Sequence, residues 1–164
     1  MMVEQVLYLW QSQSLDRCKE TNVIVQIPTG GGKTLIASHA IDYFTELFPA
    51  KKALFVVPTR PLVEQQASNC EKHCSPKKNA ARISGVSVDA WGKEDWKDCL
   101  LSHDILVGTP EVFKKAFLTR NLEVCTYPYF NIHIGIRSIL RFKVFICLFL
   151  MNAIMQWAIL QWLQ

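Results

Sequence analysis

Residues 22–34, Asn-Val-Ile-Val-Gln-Ile-Pro-Thr-Gly-Gly-Gly-Lys-Thr, constrain the fold of this chain more than any other stretch. Val23 to Ile27 form a short apolar, β-branched run, the composition of a strand buried on both faces. Pro28 stops that strand. Gly30, Gly31 and Gly32 carry no Cβ, so the backbone can turn sharply and press its N–H groups against an anion. Lys33 and Thr34 then open a helix, predicted from Leu35 to about Phe48. Its N-terminus carries partial positive charge and free N–H donors, which suit phosphate. Glycines, lysine and threonine in this order, after a strand and before a helix, make a P-loop. Lys33 is expected to reach the β- and γ-phosphates of a nucleotide, and the Thr34 hydroxyl to sit on Mg²⁺.

With 164 residues the chain is expected to form one domain with a real core. Its net charge of +4 permits a polyanionic partner without demanding one. The charge is unevenly spread. Residues 1–123 carry 15 Lys/Arg and all 14 Asp/Glu, whereas residues 124–164 hold Arg137, Arg141 and Lys143 and no acid. Two segments of different character are joined near residue 123. No basic stretch leads into an apolar run at the N-terminus, so the six cysteines are expected as reduced thiols in a cytoplasmic or nuclear protein. Cys70, His73 and Cys74 cluster on a predicted helix, but no second pair at matching spacing completes a zinc site.

Along the chain, residues 4–20 read as a helix with Val6, Leu7, Trp10 and Leu15 on its apolar face. Ala53 to Val57 are a second fully apolar strand, ended by Pro58, and a helix is expected from Leu62 to about Cys74. Ser75 to Asn79 read as a basic surface loop, and Ala81 to Ile83 as a weak third strand ended by Ser84-Gly85. Trp91 and Trp96 flank the start of an amphipathic helix of about Lys93 to Leu101 and are expected as packing anchors. Ile105 to Val107 form a fourth buried strand, followed by Gly108-Thr109-Pro110-Glu111 and a helix from Val112 to about Leu118. Pro110 fits the first helical turn, and Thr109 can cap it and offer its hydroxyl to a phosphate. Strands alternating with helices over short links predict an α/β fold with a mostly parallel sheet and ligands at the carboxyl ends of its strands.

Four of these stretches together carry a resemblance. Thr29 to Thr34, after Ile27 where the general P-loop has glycine, resemble motif I of superfamily 2 helicases. Pro58-Thr59-Arg60-Pro61-Leu62-Val63-Glu64-Gln65-Gln66 resembles motif Ia, and Gly108 to Glu111 resemble motif Ib. Trp10-Gln11, eleven residues before Asn22, resembles the aromatic–Gln pair ahead of the P-loop in Dicer-like helicase domains. The resemblance implies a three-layer P-loop NTPase (RecA-like) sandwich, the first lobe of a Dicer-like, ATP-dependent RNA helicase. It implies that Gln11, with Gln13 as a rival, reads adenine, and that Pro28 to Thr34 hold ATP and Mg²⁺. It also implies that Pro58, Thr59, Arg60, Gly85, Thr109 and Pro110 face nucleic acid, RNA rather than DNA.

The resemblance stops at motif II, which is absent: Glu123 is the last acid in the chain. Without that motif no aspartate fixes Mg²⁺ and no glutamate activates water, so nucleotide binding with little or no hydrolysis is expected. The second helicase lobe, with its arginine finger, is expected to be missing as well. Residues 1–123 are therefore expected to form a partial ATP-binding lobe, and 124–164 an apolar tail foreign to it. Cys125 to Tyr129 read as irregular chain, and Val144 to Gln164 are 21 residues without a charge. For the tail, three readings stay open: a splice or frame change after about residue 120, a helix covering the sheet, or a membrane anchor. Phe142 to Leu150 also suit a strand filling the gap that a missing motif II strand would leave. Three alternatives to the helicase reading stand beside it: a non-catalytic RNA- or ATP-binding module, a membrane-tethered P-loop protein, and a small P-loop phosphotransferase. The last lacks a carboxylate at a strand end, since Asp104 heads its strand. No protein partner is indicated.

Overall fold

The computed structural model describes residues 7–21, 23–28, 30–49, 51–74, 78–119, 131–137 and 143–150. Strand and helix alternate through most of this length. The order is α1 (Leu9–Glu20), β1 (Val23–Gln26), α2 (Lys33–Leu47), β2 (Ala53–Val56), α3 (Arg60–His73) and β3 (Ala80–Ile83). Then come α4 (Gly85–Val88), α5 (Lys93–Ser102), β4 (Ile105–Gly108), α6 (Pro110–Leu118), β5 (Asn131–Arg137) and β6 (Lys143–Leu150). The six strands form one sheet in the order β1-β5-β6-β2-β4-β3. β1 with β5, β2 with β4, and β3 with β4 are parallel, while β6 runs antiparallel to both its neighbours.

The apolar runs of β2 and β4 explain the layering. Alternate side chains of a strand point to opposite faces. Ala53, Phe55 and Val57 join Ile105, Val107 and buried residues of α1, α2 and α3 in one core. Leu54 and Val56 join Leu106, Val88, Trp96, Val112 and Phe113 in a second core on the other face. Two cores on one sheet make three layers, the expected sandwich. Each fully buried large side chain here contributes about 1.5–3 kcal/mol through desolvation.

Several expectations change. Helix α1 starts at Leu9 rather than residue 4; Val6 and the residues before it lie outside the described residues. Its buried stripe is Gln11, Leu15 and Cys18, spaced by helical turns, and Trp10 faces outward at 39% exposure. Strand β1 is not buried on both faces: Val23 and Val25 are half-buried and Gln26 is exposed. The short helix α4 was not expected. Residues Val144–Leu150 belong to strand β6, as the strand reading of Phe142 to Leu150 had it, and not to a helix; composition alone does not separate the two in such an apolar run. β5 and β6 together fill the sheet between β1 and β2. Residues 75–77, 120–130 and 151–164, and with them much of the basic loop, the irregular stretch and the end of the tail, lie outside the described residues. Among the described residues no helix is long and apolar enough to cross a membrane.

The tryptophan expectation is met. Trp96 is buried and meets Trp91 edge to face at 5.1 Å. Cys18, Cys70, Cys74 and Cys99 are free, buried thiols, and burial pushes the Cys18 thiol up to about 11.

Candidate nucleotide and nucleic-acid site

The loop from Ile27 to Gly32 leaves the carboxyl end of β1 and enters the N-terminus of α2. Its glycines are required for two different reasons. Gly30 (φ +85°) and Gly32 (φ +78°) lie in the left-handed region, Gly32 as the residue that caps α2. Gly31 has an ordinary φ, but a Cβ there would run into the Ile27 side chain. The Gly31 N–H donates to the Pro28 carbonyl at 3.2 Å, closing the turn.

Lys33 begins the helix and folds back into this turn. Its ammonium donates to the carbonyl oxygens of Pro28 at 2.6 Å and Ile27 at 3.1 Å. The side chain is buried, and desolvation holds its pKa below the usual lysine value. Two neutral carbonyls thus hold a cation in the place where an anionic oxygen would neutralise it better. Beside it the Thr34 hydroxyl donates to Gln66 Oε1 of α3 at 3.0 Å.

Gln11 reaches the same loop from α1. Its Oε1 accepts from the Tyr8 N–H at 2.9 Å, and its Nε2 donates to the Gly31 carbonyl at 3.2 Å. A Cβ on Gly32 would stand 2.5 Å from that nitrogen. Gln11 is 2% exposed, so its amide braces the loop. Gln13, its rival, is exposed. Pro28 is exposed at the loop entrance, and Thr29 lies outside the described residues.

The predicted nucleic-acid residues gather along the carboxyl ends of β2, β3 and β4. Pro58, Thr59 and Arg60 are exposed, with Thr59 capping α3. Thr109 caps α6 and Pro110 is its first residue. The expected side-chain cap by Thr109 is not formed: neither threonine makes a capping bond with its hydroxyl. Their extended backbone sets the helix start instead, so the first N–H groups keep their capacity for another acceptor. A Cβ on Gly85 would lie 3.5 Å from Arg60 Nη2 and 4.0 Å from Val112 Cγ2. Arg60, Gly85 and the start of α6 therefore adjoin. A Cβ on Gly108 would press the Ile83 carbonyl and the Phe113 ring at 3.0 Å, so this glycine serves strand–helix packing.

The motif that contains Gln66 does not by itself point to a role for this residue. A signal was present: it shares the buried face of α3 with Val63, Ala67 and Cys70, a polar side chain on an apolar stripe.

The donor set suits a nucleotide-borne Mg²⁺. The Thr34 hydroxyl is a hard oxygen donor, of the kind Mg²⁺ takes, at the head of α2. Among the described residues no three acid, His or Cys side chains come together to hold a metal ion. Strand β5, parallel to β1 with Gly135 opposite Gln26, is Asn-Ile-His-Ile-Gly-Ile-Arg and brings no carboxylate beside the loop.

Comparison with known proteins agrees with this geometry. Residues 8–130 match the family model described as DEAD/DEAH box helicase. Over 109 residues the chain is 36% identical to Dicer-like protein 2 of Coccidioides immitis, covering 65% of this chain and 8% of that protein. Over 107 residues it is 37% identical to the mouse Fanconi anemia group M protein homolog, covering 65% of this chain and 5% of that protein. The chain thus spans less than a tenth of the length of these relatives. The helicase domain of Pyrococcus furiosus Hef superposes with a TM-score of 0.60 at 30% identity, covering 72% of this chain and 24% of that one. With the matched span extending over three quarters of its residues, the chain belongs to the DEAD/DEAH box helicase family.

Proposed function

We propose that this chain binds ATP with Mg²⁺ at the Ile27–Thr34 loop and holds the phosphates of a single nucleic-acid strand along the starts of α3 and α6. The family is one of ATP-dependent helicases that bind nucleic acid, with Mg²⁺ as the usual ion. The observation that carries the reading is the buried Lys33 ammonium, seated on the Pro28 and Ile27 carbonyls inside a turn of glycines at a helix head. Phosphate oxygens would replace those carbonyls, and the helix N–H groups would take the rest of the charge. Lys33 and Thr34 hold phosphate and Mg²⁺, and the backbone of residues 29–32 cradles the chain of phosphates. Gln11 sets the loop and orients the adenine edge. Mg²⁺, when bound, neutralises charge on the β- and γ-phosphates.

Thr59, Arg60, Gly85, Thr109 and Pro110 form the strand surface. A guanidinium and helix N–H groups position a phosphate backbone without reading bases. Relatives named as Dicer-like and as DNA helicases both occur, so RNA has no advantage over DNA as the partner. Hydrolysis by this chain is absent or very weak, because no acid follows Glu123 and β5 supplies none beside the loop. A binding module is thus the form of the reading that fits best.

The division at residue 123 is part of the same proposal. Its basis is the loss of acidic residues beyond that point, and a splice junction or frame change near codon 120 at the genomic locus would support it. We place the protein in the cytoplasm or nucleus.

Titration of folded protein with ATP in the presence of Mg²⁺ tests the core of the reading. Binding below millimolar concentration that is lost in Lys33→Ala is expected. Folded protein with no affinity at millimolar ATP would overturn it, and turnover above about 0.1 s⁻¹ that depends on Lys33 would overturn the absence of hydrolysis. Single-stranded RNA and DNA are expected to bind alike, more weakly as salt rises, and more weakly still in Arg60→Ala.

A further inference from the structure

Gln66 lies on α3, well away in sequence from the phosphate loop, yet its Oε1 accepts the Thr34 hydroxyl proton at 3.0 Å. It is 9% exposed and shares its helix face with Val63, Ala67 and Cys70. Burial and packing against a core fix its rotamer, so the acceptor stands at a set position relative to α2. A hydroxyl has one proton and two lone pairs. When the proton is committed to Gln66, both lone pairs face away from Gln66 and are free for another partner.

We infer that Gln66 is a positioning residue for the metal: by accepting the Thr34 proton it aims the Thr34 oxygen lone pairs at the Mg²⁺ that arrives with the nucleotide. The inference rests on the nucleotide reading above and adds to it a role for a residue outside the loop. Partners of this kind hold metal ligands in orientation, and their loss typically lowers metal affinity about 10- to 100-fold. Here the effect should be visible because no carboxylate cluster among the described residues holds the ion otherwise.

The test measures ATP affinity twice, with Mg²⁺ and with excess EDTA, in wild type, Gln66→Met and Gln66→Glu. Gln66→Met keeps length and apolar packing but removes the acceptor. It should weaken Mg²⁺·ATP binding about 10-fold or more and leave metal-free ATP binding unchanged. Gln66→Glu keeps an acceptor and adds a negative charge. It should preserve or tighten Mg²⁺·ATP binding while weakening metal-free ATP, whose charge is then not neutralised. Equal losses with and without Mg²⁺ in Gln66→Met would mean a packing role only and would overturn the inference. So would an unchanged Mg²⁺ dependence in both variants. If Gln66→Met does not fold, the opposite responses of Gln66→Glu to the two conditions still decide. Wild type that binds ATP but shows no Mg²⁺ dependence overturns this inference alone; wild type that binds no ATP overturns the nucleotide reading with it.

Discussion

The Lys33 ammonium lies 2.6 Å from the Pro28 carbonyl oxygen, the same oxygen that the Gly31 N–H bonds to close the turn. Its pKa is lowered by desolvation, so the charged form is less comfortable among these carbonyls than in water. A bound triphosphate reverses that and draws the pKa back up. Between the lowered value and the ordinary lysine value, binding therefore takes up a proton. ATP affinity should fall as pH rises through that window, beginning below the ordinary lysine pKa of about 10.4. Calorimetry in buffers of different ionisation enthalpy would show proton uptake at alkaline pH. Affinity that stays constant to pH 10.5 would contradict a phosphate role for this group.

The glycines predict an order of damage. Gly30 has a positive φ but nothing within 4 Å of a Cβ, so Gly30→Ala carries only the left-handed cost of about 1–2 kcal/mol. Gly31→Ala meets the Ile27 side chain, which is buried and has little room to yield. Gly32→Ala has both problems, a φ of +78° and a Cβ 2.5 Å from Gln11 Nε2. Thermal unfolding should therefore rank Gly32→Ala below Gly30→Ala in stability, with Gly31→Ala also below it. ATP affinity should follow the same ranking.

The legible parts of this fold were those where one physical demand acts alone. Ala53 to Val57 and Ile105 to Val107 are short apolar runs between turn residues, and they are β2 and β4, buried on both faces. The loop was legible because Gly30, Gly32 and Lys33 answer to backbone geometry and charge, which composition records directly. β1 has the same kind of composition, yet it lies at the sheet edge, and sheet position is set by distant segments. Gln11 and Gln66 escaped a structural reading because pattern analysis assigns polar side chains to solvent. Both lie on apolar helix stripes and brace the loop, Gln11 through Gly31 and Gln66 through Thr34. Most of strand β6 lies in a 21-residue uncharged run whose composition supports a helix and a strand alike, and both readings stood for it; β5, at Asn131–Arg137, precedes that run and had no reading of its own.

Gln11 gives the next prediction. Both ends of its amide are engaged, with Tyr8 and with Gly31. A side chain that shapes the loop affects every ligand that uses the loop, whereas one that only reads a base affects only ligands that carry the base. Gln11→Ala should weaken tripolyphosphate as well as ATP, by several-fold, since about 1 kcal/mol is typical for a lost hydrogen bond. Any further loss seen for ATP but not for GTP measures adenine recognition separately. Unchanged tripolyphosphate affinity would show that the brace to Gly31 does not matter for phosphate binding.

Arg82 closes the far edge of the sheet and predicts an acid-sensitive contribution to stability. Its guanidinium makes paired contacts of 2.8 Å with both Glu71 oxygens and one of 3.0 Å with Glu64, tying β3 to α3. The hydrogen bonds from Arg82 are the main reason that the Glu71 carboxyl titrates below its ordinary 4.5. A carboxylate with a lowered folded pKa stabilises the fold above its unfolded value and loses that contribution as pH falls through the folded value. Glu71 is 38% exposed and Glu64 70%, so solvent screens the pairs, and Arg82→Ala should cost only about 1 kcal/mol at neutral pH. Denaturant titrations of both proteins at pH 7 and at pH 3 should show that cost shrinking at the lower pH, and shrinking at pH 7 as salt is raised. A cost independent of both would mean that Arg82 acts through its packed stem rather than its charge.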